Sequence, residues 1–89
     1  MDDIPYLIDK FESRFKKERT QKSMWFNSGL VTAIVILKMY NPVTSKLTPL
    51  DFRILQKKLS NYLDSGYQDF EEAILLSKSI LHGFRLHKK

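Results

Sequence analysis

Ile4, Leu7, Ile8, Phe11 and Phe15 recur at intervals of three and four residues, so the chain opens on an apolar stripe of helical period. Asp9, Lys10, Glu12, Ser13, Arg14, Lys16 and Lys17 lie mostly off that stripe, and the spacing predicts an amphipathic helix over residues 3–22. The acids near its start suit the positive end of a helix dipole.

The next segment, Met24–Tyr40, is nearly continuous apolar sequence. Read locally, the β-branched run Leu30–Leu37 between the turn signals Asn27-Ser28-Gly29 and Asn41-Pro42 resembles a buried strand. No second strand candidate exists, and a lone strand leaves its backbone unpaired unless it pairs across a dimer. A helix that is apolar all round satisfies its own backbone at the centre of a bundle, so a helix over 24–40 is expected.

Residues 41–47 read as a loop. Thr48 is a good N-cap, Pro49 suits the first helical position, and Asp51 stands where a capping-box acid would. The helix that follows, over 49–65, presents Phe52, Leu55, Leu59, Tyr62 and Leu63 on one face and ends at Gly66, a left-handed cap. A last helix over 68–86 carries Phe70, Ile74, Ser77, Leu81 and Phe84 on one stripe, widened by Ala73, Leu76 and Ile80. So wide an apolar surface suits a central helix or an interface. Gly83 weakens its last turn, and the terminal His-Lys-Lys is expected to fray. The sum is an all-α fold, a small bundle of three to four helices in a single domain over 1–89, with homodimerisation as one way of completing a small core.

Composition narrows the classes. The chain of 89 residues has no cysteine, which removes disulfide frameworks and thiolate metal sites. The acidic N-terminus, with the first apolar run only at Met24, does not read as a secretory signal. The run to Leu37, interrupted by Asn27, Ser28, Gly29 and Thr32, falls short of the roughly 20 apolar residues of a spanning helix. A cytoplasmic protein is expected.

The net charge of +5 is distributed in blocks. Asp2, Asp3 and Asp9 open the chain, and Lys10, Arg14, Lys16, Lys17, Arg19 and Lys22 follow against Glu12 and Glu18. A second basic block holds Lys38, Lys46, Arg53, Lys57 and Lys58, a purely acidic stretch holds Asp64, Asp69, Glu71 and Glu72, and the end is basic again. Such a balance permits nucleic acid or an anionic membrane as partner, and equally an ordinary solvated surface.

Catalysis requires convergent titratable groups, and the candidates are thin. His82 and His87 are five apart, where helical metal ligands are i, i+4, so no metal site is expected. Glu71, Glu72 and Asp69 are explained by the dipole of the last helix. No nucleophile motif and no phosphate-cradling glycine loop is present, so neither an enzyme nor a cofactor is expected. Two DNA-binding templates fail on the residues. A helix-turn-helix made of 49–65 and 68–86 would lead into the groove with Asp69, Glu71 and Glu72, and a reading strand over 30–37 would offer only Thr32 as a polar group.

Three functional readings remain. The first is a non-enzymatic regulator, inhibitor or adaptor that binds another protein. Trp25, Phe26, Leu30 and Ile34 would make the apolar contact, and Lys16, Lys17, Arg19 and Lys22 a steering rim. A homodimer would use the same surface. The second is nucleic-acid binding through the basic first helix, by Lys10, Arg14, Lys16, Lys17, Arg19 and Lys22, with Lys10, Arg14 and Lys17 on one face. Shape recognition of double-stranded RNA is one such mode. The third is an immunity-type protein associated with the membrane surface. Trp25 and Phe26, adjacent on a helix, face different ways, so one of them is expected at the surface or an interface.

Overall fold

The computed structural model describes residues 2–87 as four helices: α1 (Asp3–Glu12), α2 (Gln21–Met39), α3 (Pro49–Ser60) and α4 (Gln68–His87). The fold is all-α, and Leu30–Leu37 lies within α2 rather than in a strand.

The helix expected over 3–22 stops at Glu12. The Ser13 hydroxyl donates back to the Lys10 carbonyl at 2.6 Å, and the Arg14 and Phe15 N–H groups turn tightly onto Phe11 and Glu12. Phe15 then folds under to pack against both apolar clusters of the interior. Asn27 holds the chain just beyond: its side-chain oxygen accepts the Lys16 N–H at 2.8 Å, and its amide donates to the Lys16 carbonyl at 2.9 Å. Thr20 starts α2 by accepting the Ser23 N–H at 3.1 Å.

The boundary at Thr48 forms as a capping box. Asp51 N–H donates to the Thr48 hydroxyl at 3.2 Å, and Thr48 N–H donates to the Asp51 carboxylate at 2.8 Å. α3 ends at Ser60, short of the expected 65, in turns through Ser65. Gly66 takes the left-handed conformation, φ 85°, not as the cap of α3 but at the entry to α4. There the Glu71 carboxylate accepts the Gly66 N–H at 2.8 Å and the Ser65 hydroxyl at 3.1 Å. α4 continues through His87, which is helical where a frayed end was expected; Lys88 and Lys89 lie outside the described residues.

The two longest helices, α2 and α4, run side by side in the same direction at the centre. Trp25 stacks on Tyr67 at one end, and Gly29 meets the Phe70 carbonyl and Ala73 one turn further on. A Cβ at Gly29 would stand 2.6 Å from the Phe70 oxygen and 2.7 Å from the Ala73 Cβ. Glycine here serves contact between two helix backbones, not a turn. α1 and α3 flank this pair and run opposite to it. The Asp3 carboxylate pins the start of α1 to the loop after α2, accepting the Leu47 N–H at 2.7 Å, while Asp3 N–H donates to the Ser45 carbonyl at 3.1 Å. Asp3 is therefore a buried link rather than only a dipole acid. Leu7, Phe11, Ala33, Leu37, Phe52, Leu55, Ile74 and Leu81 form the main core, and Phe26, Leu30 and Ala73 a smaller cluster beside it.

Candidate functional site

α2 carries no acidic residue, and from Ser23 to Leu37 no charged one. Its inner side supplies Phe26, Leu30, Ala33, Ile34 and Leu37 to the interior. At 100° per residue, Met24, Ser28, Val31, Val35 and Met39 fall on a single stripe diametrically opposite. That stripe stays in solvent: Met24 is 67 % exposed, Val31 48 %, Val35 44 % and Met39 76 %. The spacing along it, 24-28-31-35, is the alternating four-and-three step of a coiled-coil seam, with the small Ser28 in the middle.

At its C-terminal end the stripe runs into a groove of about 470 Å³ between α2 and the end of α3. Ile36, Met39, Tyr40 and Tyr62 give it an aromatic and aliphatic lining, with Lys58 and the amides of Asn41 and Asn61 at its polar side. Tyr40 is held in place by its hydroxyl, which donates to the Asp51 carboxylate of the α3 capping box. That hydrogen bond, then burial, then the charge of Asp51 push the Tyr40 phenol up to about 12.

Cations stand at both ends of α2, with Glu18 among those before its start. The loop 13–20 and the first turn of α2 present Lys16, Lys17, Arg19 and Lys22, all exposed, and the other end presents Lys38 and Lys58. Cations crowd the N-terminus of α2, where the helix dipole favours acids. The Lys16 ammonium lies 4.4 Å from the centroid of the Phe26 ring, so the loop lies against the helix rather than apart from it.

Of Trp25, Phe26, Leu30 and Ile34, expected to make an apolar contact, only Trp25 reaches the surface. Phe26, Leu30 and Ile34 are buried, because they fall on the side of α2 that faces the other helices. Trp25 is half-buried, its ring stacked on Tyr67 with centroids 4.1 Å apart and planes 13° from parallel. The exposed stripe was legible by the same helical arithmetic, taken on the opposite side of the helix.

The basic residues do not share one helix face either. Because α1 ends at Glu12, Arg14, Lys16, Lys17 and Arg19 belong to the loop and Lys22 to α2. Lys10 and Arg14 turn instead toward α4, where they line a second groove of about 370 Å³ with His87, a residue that the sequence did not connect to them. Among the described residues no three His, Asp or Glu side chains gather in a way that could hold a metal ion, and no helix is long and apolar enough to cross a membrane.

Comparison of the chain with family models, curated proteins and solved structures finds no match.

Proposed function

We propose that this is a non-enzymatic binding protein whose outer α2 face receives an amphipathic helix of an acidic partner protein. One observation carries the reading: α2 is apolar on both sides, and the fold covers only one of them. A helix apolar all round is ordinarily buried all round. The single convex seam Met24–Ser28–Val31–Val35 suits a second helix laid along it. The groove beside Tyr40 and Tyr62 suits one anchoring side chain of that helix. Lys38 and Lys58 at the C-terminal end of the seam favour a partner with acids beside its apolar stripe, and they disfavour a parallel second copy of this chain, which would bring lysines against lysines.

A photo-crosslinking residue at Val31 or Val35, with the exposed Leu75 on α4 as control, tests this in cells of the source. The expected product is a single protein species, captured at 31 and 35 and not at 75, and lost when Lys38 and Lys58 are both changed to glutamate. Adducts to lipid or to this chain itself, or labelling no stronger than at Leu75, would overturn it.

A further inference from the structure

The groove between α1 and the C-terminal half of α4 has a different chemistry from the α2 face. Its floor is apolar: Leu7 is fully buried at its base, Ile80 lies along it, and Tyr6 and Phe84 pair with ring centroids 5.3 Å apart. Its rim is cationic. The Lys10 ammonium sits 5.4 Å from the centroid of the Tyr6 ring, and Arg14 and His87 complete the edge. Among the described residues no carboxylate lines it, and neither Lys10 nor Arg14 makes an ion pair with another of them.

Gly83 supplies a second observation. It stands inside α4, where glycine is a poorer helix former than alanine. Among the described residues no packing requires it, since a Cβ there would meet no atom within 4 Å beyond its own stretch of helix. Gly83 lines the groove, and its missing side chain leaves α4 open to whatever lies there. At about 370 Å³ the groove is near the lower end of ligand cavities. Its apolar floor and its two rim cations suit a small amphiphile that carries a negative charge.

We propose that the α1–α4 groove binds a medium-chain carboxylate, with the acyl chain on Tyr6, Ile80 and Phe84 over Gly83 and the carboxylate between Lys10 and Arg14. The carboxylate accepts charge-assisted hydrogen bonds from the two cations, and the chain leaves water against the aromatic pair. The site is independent of the α2 face and stands or falls without it.

Calorimetric titration of the full chain with decanoate, decanol and acetate is the test. Decanoate is expected to bind one to one, and decanol and acetate at least about tenfold more weakly, the loss that follows when either half of an amphiphile is missing. Gly83→Leu fills the slot with a good helix former, so it is expected to weaken decanoate about tenfold or more while its melting temperature stays level or rises. The pair Lys10→Gln, Arg14→Gln is expected to bring decanoate down to the level of decanol. Decanoate that binds Gly83→Leu as well as the wild type, decanol that matches decanoate on the wild type, a stoichiometry above one, or no heat of binding overturns the site.

Discussion

Asn27 shows how much one side chain decides. Its amide pairs with both backbone groups of Lys16, at 2.8 and 2.9 Å, and so fastens the basic loop 13–20 to α2. Asn27→Ala removes both bonds and is expected to cost about 1–2 kcal/mol in urea unfolding, with faster hydrogen exchange at the Lys16 amide. Tyr40 makes a second test at this scale. Its phenol is pushed up to about 12 in the folded chain from an ordinary 10, so folding favours the protonated form. The unfolded chain loses this proton first as pH rises, so the stabilisation is complete below pH 10 and disappears as pH passes through about 12. Ultraviolet titration is expected to find Tyr40 ionising late, and Tyr40→Phe to abolish that late step and flatten the fall in stability over the same window.

At the scale of elements, the α2–α4 pair is set by Gly29 and Ala73. Gly29→Ala is expected to destabilise by about 1–3 kcal/mol despite the better helical propensity of alanine, because the new Cβ meets backbone and a Cβ that cannot move aside. The same substitution at Gly83 meets open space and is expected to stabilise by up to about 1 kcal/mol. Thermal melts of the two variants, read together, separate a glycine held for packing from a glycine that packing does not use. The capping box at Thr48, Pro49 and Asp51 was legible beforehand, because its signal is confined to four successive residues. The break after Glu12 was not. Polar residues continue past it without a glycine or proline, and what ends the helix is Phe15 reaching the interior and Asn27, eleven residues ahead, taking the Lys16 backbone.

For the whole molecule, the decisive matter is which side of α2 the other helices cover. Phe26→Ala or Leu30→Ala is expected to cost about 2–5 kcal/mol, since each leaves a cavity between α2 and α4. Val31→Glu with Val35→Glu is expected to change stability by no more than about 0.5 kcal/mol per site, since both side chains already stand in water. Urea denaturation of the two sets tells core from docking face before any partner is in hand.

By itself, the sequence determined the helical class, the amphipathic stripes of α1, α3 and α4, the Thr48 boundary and the block pattern of charge. Each of these follows from residue type and from spacing within one or two turns, where local physics dominates. Only the tertiary structure decided the orientation of α2, because a segment apolar on both sides has no preferred inner face until neighbours supply one. It also turned Asn27-Ser28-Gly29 from a turn signal into a clasp and a helix contact, and it gathered Lys10, Arg14 and His87 around one groove. Those outcomes depend on atoms brought together from distant parts of the chain, and no local pattern encodes that proximity.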